Sequence, residues 1–164
     1  MEITAKELYE FELKRRAEIN ESLKHTIQLA IGEIGFILIF AKQYIDREFI
    51  GGAIFYSSIW ISLLLSISAL GLCAFGGIYF KIALPNSAKD LEGYRKKLIE
   101  FDAEKADAIY GDFLRERWIE NATKNSERNR QKSRISLYAR LTLIISAVPL
   151  TIAVISSFPI PFPL

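Results

Sequence analysis

The chain of 164 residues has one cysteine, one histidine and one methionine, and these scarcities each remove a class of chemistry. Cys73 alone makes no intrachain disulfide and no cysteine-based metal cluster, and His25 alone gives no two-histidine metal site. No nucleophile–base set and no phosphate-binding glycine loop is present, so the inventory is not that of an enzyme and implies no cofactor or metal. Charge is missing over long stretches: residues 49–80 hold no Asp, Glu, Lys or Arg in 32 positions, and residues 141–164 hold none in 24. Of the five prolines, Pro159, Pro161 and Pro163 alternate in the last six residues, so that tail is not helical. The first 25 residues carry 11 acids and bases and the first apolar run starts only at Thr26, a pattern unlike a signal peptide. Neither an internal repeat nor a low-complexity segment is evident.

What the chain does have is 51% apolar residues beside 24% charged ones, sorted into separate segments, with 22 charged residues in positions 85–134. The sorting predicts an all-α membrane protein with a helical water-soluble part. Three stretches are long enough for a hydrocarbon core about 30 Å thick. The first, 26–45, contains Gln28, Glu33 and Lys42. The second, 53–80, is uncharged and too short for two passes. The third, 137–158, starts with Arg140 one turn inside, where a long side chain snorkels to the headgroups. Five Lys and Arg in residues 1–25 and twelve in 82–136, against two in the connection 42–48 and none after Phe158, place the N-terminus and the middle segment inside. The resulting order is a cytosolic N-terminal helix 1–25, a transmembrane hairpin 26–81, a cytosolic helical region 82–136, a third span 137–158 and an extracytoplasmic tail 159–164. Tyr44, Phe49, Tyr56, Tyr79, Phe80 and Tyr138 fall near the span boundaries, as an aromatic belt requires.

In the N-terminal helix, Leu8, Phe11, Ile19 and Leu23 form an incomplete apolar stripe. After Pro85, Ser87 and Asp90 make a Ser-x-x-acid start, and Leu91, Tyr94, Leu98 and Phe101 follow at spacings 3, 4, 3 as a seam for another helix. About 50 helical residues would reach about 75 Å, so the region is expected to fold as two helices, with Gly111 a candidate break and the second helix running into the third span.

Three constellations are candidates for function. Glu33, mid-span, costs several kcal/mol unless it faces a partner or water; it lines a pore repeated around an oligomer axis, or it locks helices through a neighbouring Ser or Tyr. Its own face carries Thr26, Ala30, Ile37 and Ala41. Ser58, Ser62, Ser66, Ala69, Cys73 and Gly76 share one face of the second span, and Thr142, Ser146, Pro149, Ala153 and Ser157 one face of the third; small faces allow close helix packing or form a wet pore wall, and either use implies association. Pro149 denies the Ile145 carbonyl its helical donor, giving a kink or a gate. In RERWIENATKNSERNRQKSR, Arg117, Asn121, Lys124, Arg128 and Lys132 recur on one helix face with Trp118 beside them, a stripe for a nucleotide or short single strand or an anchor on acidic lipid.

A charged helix, two spans joined by a short Lys42-Gln43 to Arg47-Glu48 loop, and a cytosolic helical region with that basic-aromatic segment resemble, over residues 1–134, the SLATT-type small transmembrane effectors of bacterial nucleotide-signalling defence. The third span departs from their two-span layout and is similar to three-pass effectors such as the channel partner of a nucleotidyltransferase in Hailong-type anti-phage defence. The resemblance implies a homo-oligomeric pore of the inner membrane, held closed and gated by a nucleotide or oligonucleotide. A non-conducting adaptor, whose cytosolic helices dock a soluble partner, is the competing expectation.

Overall fold

A computed structural model describes residues 4–44 and 52–158. The described residues form four α-helices and no strand: α1 (Ala5–Tyr44), α2 (Gly52–Ile78), α3 (Ala88–Phe101) and α4 (Ala106–Ser156). Three of them, α1, α2 and α4, are long and apolar enough to cross a membrane. The connection 45–51 with Phe49, and the proline tail 159–164, lie outside the described residues.

Local chemistry explains the helix ends. Thr4 and Glu7 close a reciprocal box at the start of α1, where the Thr4 backbone N–H donates to Glu7 Oε2 at 2.7 Å and the Glu7 N–H donates to Thr4 Oγ1 at 3.3 Å. Ser87 caps α3 by accepting from the Asp90 N–H. The turn between the last two helices falls at 102–105, where Asp102 accepts from the Lys105 N–H, and Gly111 lies inside α4 and does not break it. Glycine costs an α-helix only about 1 kcal/mol, less than an established helix loses by stopping. α4 also runs through Pro149.

The chain divides into two compact units, Asn20–Tyr79 with Ser133–Leu164, and Met1–Ile19 with Phe80–Lys132. The first is a three-helix bundle made from parts of α1, α2 and α4. Ser22 lies beside Ser136 (2.9 Å) and Glu33 beside Ser146, so α1 and α4 run parallel. Gly76 faces Leu23 and Ile135, whereas Phe55 packs with Ile37 and Ala153, so α2 runs antiparallel to both. The inward residues follow alternating spacings of three and four: Leu23, Thr26, Ala30, Glu33, Ile37 and Phe40 on α1; Phe55, Ile59, Ser62, Ser66, Ala69, Cys73 and Gly76 on α2; Ser136, Ala139, Leu143, Ser146, Leu150 and Ala153 on α4. This is the heptad pattern of a supercoiled bundle.

Apolar burial alone does not hold helices together in lipid, so close packing must. At one end Phe55, fully buried, meets Phe40 and Tyr44 at ring separations of 5.7 and 5.4 Å, and Tyr56 Oη donates to the Tyr44 carbonyl. At the other end a Cβ on Gly76 would sit 3.2 Å from Ile135 Cγ2, so this glycine sets how near α2 comes. Outward positions such as Leu29, Ile39, Trp60, Leu64, Ile144 and Ile155 remain exposed as a lipid-facing surface would.

The second unit packs the start of α1, the segment 80–87, α3 and the start of α4. The Tyr94 ring packs tilted against Phe113 at 4.5 Å and Arg95 pairs with Asp107 at 3.1 Å, which closes α3 on α4. Phe101, expected in the α3 seam, is 88% exposed instead, at the last residue of the helix before the Asp102 cap. In α1, Ile19 and Leu23 of the expected stripe are buried, but Leu8 and Phe11 are exposed; the face that packs is Tyr9, Glu12, Arg16 and Ile19.

Candidate functional site

Within the apolar bundle, the structure gathers Glu33, Ser62, Ser66 and Ser146 from three helices. Ser146 is fully buried, with Oγ 2.7 and 2.9 Å from the two Glu33 carboxyl oxygens and 2.5 Å from the Leu143 carbonyl. One hydroxyl hydrogen thus stands among three acceptors, so the contact can exchange partners without moving the backbone. Ser62 Oγ donates to the Ser146 carbonyl at 2.8 Å, and Ser66 Oγ to the Ser62 carbonyl at 3.0 Å. Glu33 therefore faces the interior of its own bundle. Ser58, Cys73 and Gly76 complete the buried face of α2. On α4 the inward face is Ser136, Ala139, Ser146 and Ala153, while Thr142 and Pro149 are half-buried at its flank and Thr142 Oγ1 bonds the Tyr138 carbonyl. Lys42 is exposed, and Arg140 donates to Ser22 Oγ.

The basic stripe is distributed differently from a uniform exposed face. Glu120 sits between Arg117 (2.8 Å) and Lys124 (2.5 Å), and bonds from Lys124 and then Arg117 hold its carboxyl below the ordinary 4.5. Arg117 also lies 5.2 Å over the Phe113 ring. Trp118 is half-buried with its ring edge-to-face on Tyr9 at 4.9 Å. Asn121 and Lys132 are buried, and Arg128 reaches the Lys81 carbonyl at 2.9 Å. Arg117 and Lys124 thus form one half-exposed pair, and Asn121, Arg128 and Lys132 belong to the packing of the unit.

That packing is polar to a degree the hydropathy pattern does not announce. Asn125, 1% exposed, grips Ala83 by accepting from its N–H at 2.8 Å and donating to its carbonyl at 3.1 Å. Asn129 Nδ2 donates to the Glu12 carbonyl and to Glu12 Oε2 at 2.8 and 2.9 Å. Tyr9 Oη donates to the Ala83 carbonyl and Arg16 to the Phe80 carbonyl, so with Arg128 on the Lys81 carbonyl the non-helical segment 80–85 is tied at three carbonyls and one amide by side chains. Arg16 is buried, and burial, then the charge of Arg128, pushes its guanidinium below its usual range; Lys132 is lowered by burial and then by Arg16. The signal for this seam was Asn121, Asn125 and Asn129, three amides at spacings of four inside a charged stretch, where an exposed helix would carry better helix formers.

No protein-family model, curated protein or solved structure matches the chain. Among the described residues no three His, Cys, Asp or Glu side chains gather as a metal site would.

Proposed function

We propose that the chain is a multi-pass effector of the bacterial inner membrane that assembles as a homo-oligomer and conducts ions when the polar seam of its spans opens, under control of a nucleotide or oligonucleotide. One observation carries the reading: an ionisable Glu33, expensive in a span, meets Ser146 and, through it, Ser62 in the bundle interior. In this reading the arrangement is the closed state, in which Ser146 occupies the carboxyl that a conducting state would present to ions. The ligand's phosphates replace Glu120 on Arg117 and Lys124, with Trp118 beside them as a stacking surface. α4 continues from Ala106 to Ser156, so a small rotation imposed there is carried along one helix toward Arg140 and Ser146. Driving a 1:99 equilibrium to 99:1 takes about 5.5 kcal/mol of preferential binding to the open form, shared among subunits. No enzymatic step is invoked, and a nucleotidyltransferase is the partner that would supply the ligand.

The test is ion flux through liposomes holding the purified protein, with and without cyclic and linear oligonucleotides. Ligand-dependent flux is expected, together with an altered conductance or selectivity in Glu33→Gln; flux that no nucleotide changes, or single-channel currents identical in Glu33→Gln, removes the gated pore. The exposed Phe101 and Ile99 near the α3–α4 turn favour a second reading, an adaptor that docks a soluble protein there. In that case no flux is seen and Phe101→Glu abolishes partner capture.

A further inference from the structure

A groove of about 320 Å³ runs between α1 and α4 of the bundle, lined by Ser22, His25, Thr26, Leu29, Arg140, Leu143 and Ile144. Its residues change character along the helices. Ser22, His25 and Arg140 stand at one end, and Leu29, Leu143 and Ile144 follow in the direction of the apolar spans. Seven residues separate Ser22 from Leu29 and four separate Arg140 from Ile144, so the apolar part lies about 6–10 Å beyond the polar part at 1.5 Å per residue. The helices run parallel, so the two gradients point the same way.

From this geometry we infer that the groove holds an anionic phospholipid, its phosphate on Arg140 with the His25 and Ser22 side chains, and one acyl chain along Leu29, Leu143 and Ile144. Arg140 lies one turn inside the third apolar stretch, where its long stem brings the guanidinium to headgroup depth. Among the described residues its side chain donates to Ser22 Oγ, which leaves most of its five donors for phosphate oxygens. None of the lining residues is a carboxylate, and Glu21, next to Ser22 in the chain, is already shared by Lys24 (3.8 Å) and His25 (3.4 Å). A free phosphate would use the cation but leave Leu29, Leu143 and Ile144 uncovered; a lipid satisfies both halves. Basic pockets between spans at headgroup level are the general form of such sites.

The inference rests on the three spans crossing a bilayer and is independent of conduction. It is tested by native mass spectrometry of the protein extracted from nanodiscs of phosphatidylglycerol mixed with phosphatidylcholine. Retained phosphatidylglycerol should exceed phosphatidylcholine, fall about tenfold in Arg140→Gln, and fall also in Ile144→Trp, which fills the apolar half without altering charge. Lys42→Gln, a cation at the far end of α1, should leave retention unchanged. Equal retention of the two lipids by the unaltered protein, or phosphatidylglycerol undiminished in folded Arg140→Gln and Ile144→Trp, overturns the site. Displacement by millimolar inorganic phosphate would reduce it to an anion site, and loss of the groove to a neighbouring copy would appear as oligomers carrying no lipid.

Discussion

Lys132 is 2% exposed, and its ammonium is lowered from 10.5 by burial and by the Arg16 charge. A base depressed in the folded state disfavours folding while it is charged in both states. That penalty is fully present below its folded pKa and shrinks as pH rises from there toward 10.5. Thermal stability of the protein should therefore rise with pH on the alkaline side, up to about pH 10, and Lys132→Met should flatten that rise. A slope unchanged in the variant would show that Lys132 is not its source. Above its ordinary 10.0 the buried Tyr9, raised by burial, acts in the opposite direction, because the unfolded phenol ionises first. Glu120 titrates at the other end: its bonds to Lys124 and Arg117 contribute above 4.5 and are lost on acidification. Glu33 shows how far a single residue can be read in advance. Its mid-span position announced a need for a partner, and the candidates included a serine of a neighbouring span; that the partner is Ser146 followed only from the register of α4 against α1.

The helices α1 and α4 each turn inward an unbroken series of threes and fours, but its members mix polar and apolar residues along the chain. On α1, Ile19, Leu23, Ala30 and Ile37 share the pattern with Glu12, Arg16, Thr26 and Glu33; on α4 the pattern opens with Trp118, Ala122, Asn125, Asn129 and Lys132. Hydropathy periodicity finds only the apolar members, which is why Leu8 and Phe11 stood out on α1 although they face outward. The small faces of α2 were legible because serine, alanine and glycine recur at helical spacing in an otherwise bulky helix, and all of Ser58, Ser62, Ser66, Ala69, Cys73 and Gly76 are buried. Asn125 was not legible, since its role depends on a backbone segment 42 residues earlier in the chain. Asn125→Leu removes both bonds to Ala83 and leaves a backbone donor and acceptor without that partner, a cost of about 1–3 kcal/mol. Hydrogen exchange at the Ala83 amide should quicken in this variant while amides of α2 stay protected; unchanged exchange would mean the segment is held sufficiently by Tyr9, Arg16 and Arg128.

For the molecule as a whole, orientation is the property on which the proposed function depends, since the ligand must reach Arg117 and Lys124 from the cytosol. With Cys73→Ser as background, a cysteine at Ala103 should react with an impermeant maleimide only after cells are opened, and one at Gln43 should react in intact spheroplasts. The reverse pattern would place the basic pair outside and exclude a cytosolic nucleotide. The counts of Lys and Arg in the flanks suffice to make that prediction, because charge retention on one side of a bilayer depends on composition near the spans and not on how they pack. Composition and spacing likewise specified three helices long and apolar enough to cross a membrane, the all-helical fold of the described residues and the small face of α2, all of them consequences of local hydropathy and helix geometry. Which polar groups meet did not follow from spacing. The joining of Glu33 to Ser146, of Asn129 to Glu12 and of Arg140 to Ser22 links positions more than 100 residues apart. Such pairs depend on the register and direction of helices against one another, and a helix carries its periodicity in its own sequence but its register only in contact with its neighbours.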